Sequence, residues 1–361
     1  MLRIFTIAIA VLAVVIAVLS VAIVSARVVR TARARRQSAL AAAPRKQLLA
    51  FVADNGEEGA DDLVAIGEDA WRAAEPAAVA LLGKVRGEAH RALVDVFTRR
   101  GVGLRARRAL RDRSPVRRAR AAQTLGDLEL REAVGDLCDL LADRHAEVRI
   151  VAVRALGRIG EPGAAWRLLA SLDRSDPTPA LLVTDALVQL GPDVEVTLSA
   201  ALDHPQARVR AVCLDALGLL GATGTAGRVA RVLRDDPELD VRIAAAATLG
   251  KLGTPAGIAP LAEALRPGRP AALRAAAAKA LGELGAKSAV ADLEAQLGDP
   301  AYRVAHEAAH ALRRLGPAGR AALERRVAAA DPAEGGHARE ALAMLAIGTA
   351  DPAPVLAGVG P

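Results

Sequence analysis

ARVRAVCLDALGLLG, residues 207–221, decides the fold. Val209, Val212, Cys213, Ala216, Leu217 and Leu220 recur at i, i+3, i+4 and i+7 spacing, the apolar stripe of an amphipathic helix. Gly221 after the last leucine suits a left-handed helix end. The phrase returns along the chain. Gly160, Gly191, Gly221, Gly253, Gly285 and Gly316 lie 31, 30, 32, 32 and 31 residues apart. Each follows Ile159 or one of Leu190, Leu220, Leu252, Leu284 and Leu315, with a further leucine three residues earlier at 156, 187, 217, 249, 281 and 312. A fixed period of this size marks stacked helical units.

A second helix fills the rest of each period. Its apolar pairs are Leu168 and Leu172, Leu198 and Leu202, Val229 and Leu233, Leu261 and Leu265, Leu293 and Leu297, and Leu323 and Val327. Pro177, Pro205, Pro237, Pro270, Pro300 and Pro332 follow, each ending a helix because proline lacks the N–H needed to continue one. Two helices of about three turns each are expected per unit. Ala155, Ala186, Ala216, Thr248, Ala280 and Ala311 form a column of small side chains that would let neighbouring first helices approach closely.

The phrases AEVRIVAVRALGRIG, ARVRAVCLDALGLLG, LDVRIAAAATLGKLG and AALRAAAAKALGELG resemble HEAT-like repeats, in the short bacterial form also seen in phycobilisome lyases. The resemblance covers residues 115–348 and implies an all-α fold, an α-solenoid of about seven helical hairpins. It also implies a ladder in which an arginine of each first helix meets an aspartate of the preceding turn: Arg149 with Asp143, Arg210 with Asp203, and Arg242 with Asp236. Arg274 has no aspartate so placed, and Ala180 and Ala305 interrupt the series. Residues 47–114 are expected to form an N-terminal cap and a degenerate repeat, and residues 349–361 a tail.

The net charge of +7 is unevenly spread. Residues 1–46 hold eight bases and no acid, leaving 40 bases against 41 acids in the remainder. Residues 4–26 carry no charge. At ~1.5 Å per residue they would span roughly 34 Å as a helix, enough to cross a bilayer. Val24-Ser25-Ala26 resembles a signal-peptide cleavage site, but the apolar run exceeds the ~7–15 residues of a secretory core. Arg27, Arg30, Arg33, Arg35 and Arg36 follow in a basic juxtamembrane linker, residues 27–46. By the positive-inside rule they place the body in the cytoplasm, and they suit anionic lipid headgroups. The expected protein is thus a single-pass inner-membrane one, with one transmembrane helix before the solenoid.

Four chemical readings compete with a binding role. His306-Glu307-Ala308-Ala309-His310 fits the H-E-x-x-H pattern of zinc hydrolases, in which two histidines share a helix face with a general base. Within the repeat, however, His306 falls in the column of Ile150, Leu181, Ala211, Ile243 and Ala275, so drift within an ordinary unit explains it. A third ligand would come from Glu334, His337 or Glu340. Deoxyhypusine hydroxylases also stack HEAT-like units, but with several His-Glu dyads where this chain has one. A lyase-like activity is suggested only by resemblance, and aromatics make up just 2% of the chain, which disfavours a tetrapyrrole site. Residues 99–120 hold ten arginines against Asp112, a pattern for nucleic acid or for pairing with the eight acids of residues 54–75.

Stacked units present extended surfaces to partners more often than they enclose pockets. The second helices, which HEAT-like folds turn to the concave face, expose charges of alternating sign, as for a protein partner rather than a phosphate track. The residues assigned to partner contact are Trp166, Arg167, Arg228, Arg231, Glu263 and Asp292. No catalytic, cofactor or metal residue is assigned. Cys138 and Cys213 sit apart in apolar runs, without the spacing of a disulfide framework.

Overall fold

The repeated phrases fold as helices in the computed structural model, which describes residues 2–329 and 335–349; the side chains of residues 2–18, 22, 33 and 347–349 are outside that description. Pro332, Glu334 and the tail from residue 350 therefore lie outside the described residues. Every described element is helical. The chain divides into two compact units, residues 1–130 and 131–361.

The first unit holds α1 (Leu2–Ala53), α2 (Ala60–Ala65), α3 (Glu68–Leu82), α4 (Gly87–Arg99), α5 (Val102–Ala109) and α6 (Pro115–Asp127). Residues 27–46, expected as a linker, are helical within α1. The end of α1 buries Ala41, Leu48 and Phe51 in a core completed by Leu63, Trp71, Leu82, Leu93 and Phe97. Trp71 meets Phe97 edge-on at 5.6 Å. Arg100 closes this core: its guanidinium lies 4.3 Å from the Trp71 ring centroid and donates to the carbonyl oxygens of Leu63, Val64 and Ile66 at 2.6–3.0 Å. Burial lowers the Arg100 pKa, with Glu68 pulling the other way. Arg100→Met is expected to destabilise this unit by about 3 kcal/mol, through lost charged hydrogen bonds and cation–π contact. Urea unfolding followed by fluorescence of Trp71, in a Trp166→Phe background, measures it; an unchanged midpoint contradicts it.

The second unit begins with α7 (Val134–Leu140) and alternates long first helices with short second ones. The first helices are α8 (Ala146–Ile159), α10 (Ala180–Gln189), α12 (Ala207–Leu220), α14 (Leu239–Leu252), α16 (Ala271–Leu284) and α18 (Tyr302–Arg314). Between and after them run α9 (Ala165–Ala170), α11 (Glu195–Ala200), α13 (Ala226–Asp235), α15 (Ile258–Ala264), α17 (Val290–Ala295) and α19 (Pro317–Ala329), followed by α20 (Gly336–Thr349). Each first helix packs on the next first helix, so the units stack. The leucine column is completely buried: Leu156, Leu187, Leu217, Leu249, Leu281 and Leu312 have no exposed surface.

Most second helices are shorter than the three turns expected. α9 is six α-helical residues between 3₁₀ turns at Pro162–Ala164 and Ser171–Asp173, and α11 and α17 are built alike. Proline at the first position of such a turn, as at Pro162, Pro192 and Pro255, gives up an N–H that would have no helical partner there.

The glycine endings hold at Gly160, Gly221, Gly253 and Gly285, all in the left-handed region. Gly191 departs from them, with φ 85° and ψ −173°, because Pro192 drives the residue before it out of helical ψ.

The small-residue column meets glycines. A Cβ on Gly157 would lie 2.8 Å from the Ala186 Cα, one on Gly250 3.0 Å from the Ala280 Cα, and one on Gly282 2.6 Å from the Ala311 Cα. These three glycines thus receive the backbone of the next first helix, whereas Gly218 of α12 meets the side chains of Thr248 and Lys251. Thr248, which replaces alanine in this column, is buried and donates its hydroxyl to the Leu214 carbonyl of α12 at 2.9 Å.

The arginine ladder exists, but it runs the other way. Arg149, Arg210 and Arg274 each donate to a backbone carbonyl of the preceding turn, while their charge partners are Asp176, Asp236 and Asp299 of the following turn. Asp236 and Asp299 also accept the backbone N–H two residues on, from Glu238 and Ala301, and so set the start of the next first helix. One carboxylate ties two units together. Arg274 therefore has its aspartate after all. Asp203 pairs instead with Arg228, and the Nε of Arg242 is buried without a partner, since the turn that follows its unit offers Pro267, Gly268 and Arg269 and no aspartate. Cys138 and Cys213 are free and buried, and burial pushes the Cys213 thiol up to about 12.

Candidate interaction surface and histidine cluster

The short second helices carry the surface on which partner contacts were expected. Trp166 is the second residue of α9 and Val196 the second of α11; they are 51% and 82% exposed, although α9 and α11 are neighbours. Two large apolar side chains at equivalent positions of successive units thus face solvent. Val196 escaped the sequence reading because a lone valine on a helix of six residues carries no periodic signal.

The expected charged contacts are partly committed to one another's units. Arg167 pairs with Asp139 at 3.1 Å and Arg228 with Asp203 at 2.5 Å. Further along, Arg325 holds Glu294 in a two-pronged pair at 2.6 and 3.1 Å, which raises the arginine pKa. Exposed pairs of this kind add little stability. Arg231 is exposed and lines a hollow with Asp203, Arg228, Val232, Asp235 and Asp236. Glu263 is half-buried beside Arg269 at 3.3 Å, and Asp292 is exposed. The six residues occupy α9, α13, α15 and α17, so they form a strip along the stack rather than one cleft.

The arginine-rich stretch pairs internally. Arg99 meets Asp61 at 2.6 Å, Arg105 meets Glu75 at 2.8 Å, and Arg117 meets Asp112 at 3.1 Å. Asp61 and Glu75 belong to the acidic residues 54–75, as the internal-pairing alternative requires.

Around the HEAAH segment the structure gathers more than the motif itself. His306 and His310 sit on one face of α18 with ring centroids 4.4 Å apart. From α20, His337 brings its ring to 5.7 Å from His306, and Tyr302 stacks on His306 and meets His337 edge-on. Glu340 places one carboxylate oxygen 4.0 Å from His306 Nδ1 and 3.9 Å from His337 Nδ1. Burial lowers the His310 pKa, helped by His306 and Arg313 and opposed by Glu340 and Glu307. Of the three candidates for a third ligand, His337 and Glu340 are both beside His306.

Helical hairpins of the second unit, stacked first helix on first helix, define a helical-repeat protein. The chain belongs to the family of HEAT repeats, which matches it at residues 104–187, 194–269 and 258–346. No curated protein matches it. Among solved structures, Kap121p is similar with a TM-score of 0.53 at 13% identity, covering 81% of this chain and 37% of its own. Kap121p bound to Nup53p gives a TM-score of 0.53 at 13% identity, covering 74% and 34%. The CpcE–CpcF complex of phycocyanin lyase from Nostoc sp. PCC7120 is 23% identical over 67% of this chain and 94% of its own, with a TM-score of 0.32. The likeness to Kap121p is one of fold, and this chain spans about a third of that protein's length.

Proposed function

We propose that this chain is a membrane-tethered scaffold that binds a protein partner along its second helices and holds it at the cytoplasmic face of the inner membrane. The observation that carries the binding role is the exposure of Trp166 and Val196 at equivalent positions, within a strip of charges of both signs. Exposed aromatics flanked by arginine are the side chains on which binding energy concentrates. Kap121p, seen bound to Nup53p, uses the same fold to hold a protein.

The tether rests on the apolar run of residues 4–26 and the arginines after it. Among the described residues no helix is long and apolar enough to cross a membrane, and the side chains of residues 4–18 are outside that description. Of the described part, Leu19, Val21, Ile23 and Val24 are 56–66% exposed on α1, an apolar surface that lipid would cover. Arg27, Arg30, Arg35 and Arg36 follow, exposed, where anionic headgroups would lie, and the expected Arg33 has its side chain outside the description. Confinement at a membrane raises the effective concentration of a bound partner without any added contact.

The test is co-purification from gently solubilised membranes. The full chain is expected to retain a partner that Trp166→Ala and Arg231→Glu release by at least about tenfold, as hot-spot losses of 1.4 kcal/mol or more do. Both residues are exposed, so the unfolding midpoint should hold. A partner kept by both variants contradicts this surface.

A further inference from the structure

We propose that His306, His337 and Glu340 form a binding site for one divalent transition-metal ion of the zinc class, which fastens α20 to α18. The ligand atoms of these three residues all lie within 4.8 Å of one another. Both imidazole Nδ1 atoms approach the same Glu340 oxygen, at 4.0 and 3.9 Å. Such distances exceed a hydrogen bond, yet they suit donors arranged about a shared ion. With bonds of ~2.0–2.2 Å, donors around a tetrahedral zinc ion stand about 3.3 Å apart and donors across an ion about 4 Å, so small side-chain rotations suffice.

The second observation is an orphan. His306 Nδ1 is buried and has no hydrogen-bond partner, and a buried polar atom left unmet costs stability unless something satisfies it. The Glu340 carboxylate, at 4.0 Å, is too far to satisfy it directly. Tyr302 packs on both histidine rings and limits their rotation, which pre-orders the site.

The donor set selects the ion. Two imidazoles and one carboxylate suit zinc, nickel, cobalt or copper, whereas magnesium and calcium take oxygen ligands. Neither cysteine can join, since both are buried elsewhere in the unit. The site is not the HEAAH pair that the sequence advertises. It uses His306 of that motif with two residues of α20, a helix otherwise held on its buried face by Ala338 and Ala341.

Equilibrium dialysis of the full chain, purified without a histidine tag and stripped with chelator, against Zn²⁺ tests the proposal. One ion per chain is expected. His337→Ala and Glu340→Ala should each weaken binding by at least about tenfold, since even outer-shell losses weaken metal sites 10–100-fold. His310→Ala should leave binding unchanged. Glu340→Gln removes the charge at constant shape, and circular dichroism checks that every variant is folded. With Co²⁺ the visible spectrum should show nitrogen and oxygen ligation and no thiolate band. No zinc retained by the wild-type chain, or zinc retained by His337→Ala and lost from His310→Ala, overturns the assignment.

Discussion

Gly282→Val is expected to destabilise the second unit by about 3 kcal/mol, at the upper end of what overpacking costs. Its Cβ would stand 2.6 Å from the Ala311 Cα and 2.8 Å from the Ala311 Cβ, where carbon atoms rest at ~3.5–4.0 Å. The obstacle is backbone and the first side-chain carbon, so no rotamer change relieves it; α16 and α18 must separate. Helix propensity pulls the other way by only a few tenths of a kcal/mol. Gly227, inside α13, supplies the contrast, because nothing lies within 4 Å of its would-be Cβ. Gly227→Ala is expected to gain about 0.5–1 kcal/mol from helix propensity alone, while Gly282→Ala loses stability. Urea midpoints followed by circular dichroism decide it; the same sign for both alanine variants would show that the first helices do not touch as described.

Asp236→Ala is the second large loss expected, at about 3–5 kcal/mol, the cost of leaving a buried charge without its partner. Arg210 donates from Nε and Nη2 to the two Asp236 oxygens at 2.7 and 2.8 Å, and both side chains are more than nine-tenths buried. That hydrogen bonding is the largest cause raising the Arg210 pKa, ahead of the burial that opposes it. Without Asp236 the burial penalty is left with only the charge of Glu238 against it, and because a guanidinium does not give up its proton in a protein, the arginine bears that penalty as a charge. Asp236→Asn keeps an oxygen for the Glu238 N–H and isolates the charge, and should lose less than alanine. The double variant Arg210→Met with Asp236→Leu removes both charges and should recover most of the loss, as apolar replacements of buried pairs do. Additive losses would mean that the two side chains do not act as a pair.

The ladder also shows where the sequence was readable and where it was not. Every inter-unit turn is nearly one period from the next, so an aspartate six residues before an arginine and another 25–27 residues after it look alike in sequence. Only the stacking tells which one the guanidinium reaches. It reaches forward, and the preceding turn supplies carbonyl oxygens instead. Arg274 looked unpaired for the same reason.

The leucine and small-residue columns, by contrast, were legible because a helix buries what recurs at its own period. What the small residues touch was not. Gly157, Gly250 and Gly282 lie two residues after the column, inside the repeated phrase, and their role appears only when the next unit is laid against them. The 3₁₀ turns that shorten the second helices left no periodic trace. His306 and His310 stood out as a motif, but His337 and Glu340 come from a helix that returns some thirty residues later, a juxtaposition that spacing along one helix cannot reveal.

The proposed function requires the second-helix face to be the working surface. Photocrosslinking in intact membranes tests this most directly, with a photoreactive side chain at Val196 and, as control, at Leu181 on a first helix, two positions about equally exposed at 82% and 79%. A discrete adduct from position 196, lost on Trp166→Ala and absent from position 181, is the result expected. Adducts from position 181 with none from position 196 would contradict it.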